Sequence, residues 1–213
     1  SNLCPDMNFK LALKLPETNF VWLIGDTAKI PQKVFESAVE QSNEKYDLII
    51  LNESSRITNL NSQIINDKNI LLSKLGWHLT QISCAICSKE LIHNTNFSNY
   101  VDTRFIHVGF IFEFLSSKNK CFAKWNQDLE IGILKIKNVQ KNSWQEDTFD
   151  IWLRKWPNFV LSLPSVYPLK SKIKMIQLHN NSTSIFKFKS LLVLRGEGFY
   201  SLKHYFTYFK YFR

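Results

Sequence analysis

Apolar residues run without interruption from Phe20 to Ile24 and stop abruptly at Gly25-Asp26. An unbroken apolar run of this length predicts a strand covered on both faces, ended by a sharp turn. A second run, from Leu48 to Leu51, predicts a second strand over 47–51. Between them, residues 31–42 carry a polar helix with Pro31 at its start, where a missing N–H does no harm. If the two strands are parallel, the three elements form a right-handed α/β unit. Residues 6–15 predict a preceding helix ended by Pro16. Residues 53–67 are rich in Asn and Ser, lack a period and predict a loop.

Further along, a helix over 68–75 stops at Gly76 and leads to a strand over 78–86. Another helix starts at Ser88. Phe105, Val108, Phe112 and Leu115 mark the buried stripe of a helix over 100–115. Residues 121–125 and 131–139 predict the two strands of a hairpin. Phe149, Trp152, Leu153 and Trp156 form a helical stripe, after which Pro157, Pro164 and Pro168 interrupt the chain. No internal repeat is visible. The pattern predicts an α/β fold over 1–140 and a helical extension over 141–213.

Composition agrees with a folded chain: of 213 residues, 45% are hydrophobic and 14% aromatic. No apolar run approaches the roughly 18 residues of a membrane span. The net charge of +9 implies an anionic partner. Basic residues gather after Ser165, at Lys170, Lys172, Lys174, Lys187, Lys189, Arg195, Lys203, Lys210 and Arg213, opposed only by Glu197. On a helix, Phe199, Leu202, Phe206, Phe209 and Phe212 share one stripe. Two readings fit: a helix lying on an anionic membrane surface, or a terminal helix packed on the domain. No recognisable nucleic-acid motif is present, and none of that class is expected as a partner. Cys84 and Cys87 have a metal-like spacing, but no second such pair accompanies them. Buried free thiols are the expectation, which suits a reducing, cytoplasmic setting.

Asp26, projecting from the carboxyl end of a strand, could hold a cation or a ribose hydroxyl, or simply cap the next helix. The stretch Phe20-Val21-Trp22-Leu23-Ile24-Gly25-Asp26, the helix and strand after it, and Gly76-Trp77-His78-Leu79-Thr80-Gln81-Ile82-Ser83-Cys84 together resemble the inverting glycosyltransferase family 2. The resemblance spans residues 7–115, with a looser likeness at Ser143-Trp144 and from Trp156 to Tyr167. It implies a GT-A-like, nucleotide-diphospho-sugar transferase fold: a mixed sheet flanked by helices.

The function it implies is sugar transfer from a nucleotide-activated donor to a lipid-linked or oligosaccharide acceptor in bacterial surface-polysaccharide synthesis. The protein would then work on the inner face of the cell membrane. Gly25 and Asp26 would bind the donor, and Lys29 is a further cation for its diphosphate. Trp77 and His107 would meet the acceptor, and Asp102, at the start of a helix, would be the general base. Glu146 and Asp147 are the rival base. Asp102 has an equally simple reading as a first-turn carboxylate favoured by the helix dipole, and His107 as a packed core histidine.

A divalent cation, Mn or Mg, is implied at Asp26. However, Thr27-Ala28 stand where the family writes further acidic residues, and a lone carboxylate is a weak site for a hard cation. The strand-turn-helix that holds the nucleotide base in this family has no counterpart before Leu3. These departures keep a non-catalytic binding or scaffold role as the alternative.

Overall fold

The structure is a computed structural model and describes residues 4–134 and 147–208. Its centre is a six-stranded mixed sheet: β1 (Phe20–Trp22), β2 (Ala28–Lys29), β3 (Leu48–Glu53), β4 (Gln63–Ile65), β5 (Ala85–Ser88) and β6 (Ala123–Ile133). The order is β1-β5-β3-β6-β2, with β4 also on β6. β3 and β6 are parallel, and β5 runs against both β1 and β3. β1 and β3 therefore point the same way but have β5 between them.

The strand buried on both faces is β3, not β1. Every residue of β3 is buried. Leu48 and Ile50 face one apolar cluster, Ile49 and Leu51 the other, as a two-residue period requires. β1 is an edge strand, and Ile24 beyond it is 46% exposed. The expected strand over 78–86 is two 3₁₀ turns, His78–Thr80 and Ile82–Cys84, and only then β5. Where a hairpin was expected, one long strand, β6, runs from Ala123 to Ile133; residues 135–139 of the expected second strand lie outside the described residues. The pairing of β6 with β3 shifts at Leu51/Asn52, so one strand serves the place of two. Within the predicted loop, β4 adds a short strand to β6.

Nine helices, among the described residues, cover the sheet. They are α1 (Pro5–Lys14), α2 (Gln32–Gln41), α3 (Lys68–Leu75), α4 (Lys89–His93), α5 (Ile106–Ser117), α6 (Trp156–Ser162), α7 (Leu169–Thr183), α8 (Phe188–Gly196) and α9 (Leu202–Tyr208). Asp67 caps α3 by accepting from the Asn69 N–H at 2.7 Å, and Ser88 caps α4 by accepting from Leu91. α5 starts at Ile106, later than the period suggested. Nearly all of it is buried rather than one stripe, so it runs through the core. Its Gly109 faces the Tyr100 ring, and the Tyr100 hydroxyl donates to Glu113 at 2.5 Å.

Pro157 does not break its helix. A π-helical turn, Asp150–Lys155, widens the chain just before it and leads directly into α6. At the far end of α6, the buried Lys172 ammonium donates to the carbonyls of Leu161 and Leu163, closing the helix terminus. The larger core cluster includes Trp156, Phe159, Tyr167 and Met175 together with α3 and α5, so the packing is continuous across the expected boundary at residue 140.

Cys84, Cys87 and Cys121 are buried and free. Cys84 and Cys87 belong to the clusters on opposite sides of the sheet. Burial pushes the Cys87 thiol up to about 12 and that of Cys121 to about 11.

Candidate functional site

The carboxyl ends of β1, β3 and β6 and the lead-in to β5 share one end of the sheet. A cavity of about 580 Å³ opens there, roofed by side chains from the C-terminal helices. Its polar lining comes from Asp26, Arg56, Gln81, Ser83, Thr183 and His179, with Trp152 as its aromatic wall.

Two turns build this end. Beyond β1, the Gly25 N–H donates to the Ser83 hydroxyl at 2.9 Å, and the Trp22 indole donates to the Ser83 carbonyl at 2.8 Å. Ser83 thus ties the Gly25-Asp26 turn to the chain entering β5. Beyond β3, Ser54 and Ser55 both adopt left-handed backbone conformations, φ 45° and 56°. For residues with side chains this stores strain, which tends to collect at functional sites. The buried Asn52 amide holds the turn shut, donating to the Ile57 carbonyl at 2.9 Å and accepting from the Glu53 N–H at 3.0 Å. Ser55 donates to Glu130 at 2.7 Å. The turn delivers Arg56, whose guanidinium lies 4.9 Å from the centre of the Trp77 ring and pairs with Glu53 at 3.4 Å.

The opposite wall is aromatic. His179 of α7 stacks on Trp152, ring centres 4.2 Å apart, and lies 5.2 Å from Trp156. His179 is 1% exposed. Burial pushes its imidazole down to about 4, opposed by the nearby Asn180 side chain. Neither ring nitrogen of His179 is hydrogen-bonded, and neither are the indole nitrogens of Trp152 and Trp156.

Of the candidate site residues that the structure describes, Gly25 and Asp26 line this cleft, and Lys29, Trp77, Asp102, His107 and Asp147 do not. Lys29 alternates with Ala28 along β2, and since Ala28 lines the cleft, Lys29 faces the other way and is exposed. Trp77 is buried, donates to the Lys74 carbonyl at 3.0 Å and acts as the plate beneath Arg56. His107 is a packed core histidine: its Nε2–H donates to the Thr80 carbonyl at 3.2 Å, behind the cleft wall. Asp102 is not in the first turn of a helix. It is exposed, in a turn with φ 65°, ahead of α5. Asp147 is exposed and pairs with Arg104 at 3.3 Å. Glu146 lies outside the described residues.

Arg56 and His179 were not anticipated. Arg56 could have been found, since a polar turn directly after the most apolar strand is where the strand-end rule looks. His179 carries no local signal, because only the folding of α7 over the sheet brings it here.

The lining does not suit a divalent cation. Among the described residues, Asp26 is its one carboxylate, Arg56 brings positive charge to the same cavity, and a hard cation needs several oxygens. No group of three or more potential metal ligands occurs among the described residues. The fold and cleft define a mixed α/β protein with a ligand-sized hollow at the strand ends. No family model and no curated protein sequence matches the chain.

Proposed function

We propose that the chain is a glycosyltransferase moving a sugar from a nucleotide-activated donor to a lipid-linked or oligosaccharide acceptor. The observation that carries this reading is Asp26 at the carboxyl end of β1, bordering the same cleft as Arg56. Open α/β sheets bind ligands at this end. In this reading Asp26 meets hydroxyls of the donor, and Arg56 offsets charge on the departing diphosphate, the task first assigned to Lys29. The resemblance names Asp102 as the base, which requires the acceptor to reach outside the cleft.

The test is calorimetric titration with a panel of nucleoside-diphosphate hexoses. At least one should bind, and Asp26→Asn should weaken it about 30-fold, near 2 kcal/mol for a lost charged hydrogen bond. Unchanged affinity in Asp26→Asn, or no binding of any donor, overturns the reading. A non-catalytic carbohydrate- or nucleotide-binding role is the outcome if donors bind but no acceptor is ever modified.

A lipid-linked acceptor draws support from the C-terminal helices. Phe188, Leu202 and Phe206 are each more than 70% exposed, and Lys187, Lys189 and Lys203 are exposed on the same helices. This pairing of apolar and cationic side chains suits an anionic bilayer surface. No described helix is long and apolar enough to cross a membrane. The single stripe expected from the sequence is split: Phe199 is 7% exposed, Tyr200 stacks on Phe149 at 5.2 Å, and Phe209 and Phe212 lie outside the described residues. Vesicle co-sedimentation should therefore use point variants rather than truncation. Leu202→Ser with Phe188→Ser should remove most binding to anionic vesicles, and wild-type binding should fall with salt over a screening length of about 8 Å. Equal binding to neutral and anionic vesicles contradicts the anchor.

A further inference from the structure

We propose that Trp152 and His179, with Trp156 packed behind them, form a carbohydrate subsite in the roof of the cleft, seating a sugar ring through its hydroxyl groups. That this sugar is the acceptor rests on the glycosyl-transfer reading above. The three rings lie together, with centres between 4.2 and 6.2 Å apart, and Trp152 and His179 line the cleft.

Their polar atoms are the reason for the assignment. The indole nitrogens of both tryptophans and both ring nitrogens of His179 are buried without a partner among the described residues. Each such atom costs about 1–3 kcal/mol while unmet. Four of them in one cluster is an arrangement that packing alone does not favour. Phenylalanines would fill the same space without the penalty.

The inventory of these atoms selects the ligand. Burial keeps the imidazole neutral, so it offers one N–H donor and one acceptor nitrogen, and each indole adds a donor. A carboxylate or phosphate could satisfy the donors but would leave the acceptor nitrogen unmet. An ammonium could satisfy that nitrogen but none of the donors. A hydroxyl both accepts and donates, and neighbouring hydroxyls on a sugar ring supply what the atoms of Trp152 and His179 lack once these two rings shift to admit it. The half-buried Trp152 also offers an aromatic edge or face to the C–H groups of such a ring. Gln81 and Thr183, which line the same cleft, add further groups that can both donate and accept. His107 and Trp77, the acceptor residues suggested by the sequence, have their polar contacts inside the protein.

The experiment titrates the full chain with methyl glycosides of glucose, galactose and N-acetylglucosamine. The indole N–H signals of Trp152 and Trp156 are followed by NMR. At least one glycoside should move both signals. His179→Phe keeps the ring stack and removes the nitrogens. It should weaken that glycoside about tenfold while leaving the thermal midpoint unchanged or higher, whereas a purely structural histidine would show a lower midpoint and unaltered binding. If no glycoside moves the indole signals, buried water fills the subsite and the proposal is overturned. The wild-type measurement decides this even if the variant fails to fold. Unchanged glycoside affinity in a folded His179→Phe also overturns it. The donor titration separates the two readings. Asp26→Asn should lose donor affinity and keep glycoside binding, and glycosides that bind where no nucleoside-diphosphate sugar does would leave the subsite standing and remove the transferase.

Discussion

Lowering the pH from 7 to 5 should destabilise the protein by about 5 kcal/mol, a loss comparable with the whole stability of many domains. The cause is a set of three histidines held neutral in the interior. Burial pushes His78 down to about 3, and His107 and His179 to about 4, against an ordinary value near 6.5. His78 and His107 each donate Nε2–H to a carbonyl, of Leu51 at 2.9 Å and Thr80 at 3.2 Å, which fixes Nδ1 as the bare nitrogen. In both rings Nδ1 is buried without a partner that could accept a proton's charge. The folded state therefore excludes protons that the unfolded chain takes up. Stability is full above about pH 7 and falls as pH drops through the window from about 6.5 to 4, with a slope approaching 4 kcal/mol per unit when all three contribute. Asp6, raised by burial, shifts the opposite way, but it is one group. Urea unfolding at pH 7.5, 6 and 5 measures the effect directly, and His107→Leu should lower the slope by about one proton. A stability independent of pH across this range would mean that these rings are hydrated in solution.

Gly109→Ala should cost about 3 kcal/mol, at the upper end of typical overpacking penalties. A methyl group there would overlap Cγ of Tyr100 and lie 2.6 and 2.7 Å from its two Cδ atoms. Tyr100 cannot yield easily: its hydroxyl is held by Glu113 and its ring packs edge-on to Phe159 at 5.8 Å. α5 cannot move either, because it is buried on nearly every side. A double-mutant cycle with Tyr100→Ala isolates the contact. The penalty of Gly109→Ala should largely vanish once the ring is gone. If it persists unchanged, the cost arises from the backbone of α5 and not from this contact.

The elements most legible in the sequence were those whose period reflects a single environment. β3 read as a buried strand because both of its faces are covered. α1, α2 and α3 read correctly because Pro16, Pro31 and Gly76 mark their limits. Errors arose where tertiary context decides. β1 looked as apolar as β3, yet it became an edge because the segment after Ser83, unremarkable in composition, inserts between them. β6 looked like a hairpin because its bulge interrupts the alternation. The site was half visible. Gly25 and Asp26 are announced by an apolar run that stops, a local signal. Lys29 lies off the cleft by a one-residue change of face, and Asp102 sits in a turn ahead of a helix that begins only at Ile106. His179 belongs to a lysine-rich amphipathic segment and becomes informative only when α7 is laid over Gly76, where Met175 already fills the space that a side chain at 76 would need.

That docking of α7 sets an order of events during synthesis. Asp26, Arg56 and the strand ends leave the ribosome early, whereas Trp152 and His179 follow much later. Until α7 arrives, the apolar side chains of α3, Leu71, Leu72 and Leu75, lack the Met175 side of the core that they share when folded. A chain not yet extended to α7 would leave those side chains uncovered, and exposed apolar surface of this kind favours aggregation. The hollow at the strand ends gains its roof only when Trp152, His179 and Thr183 are in place, so binding in it reports that α7 has docked on the sheet.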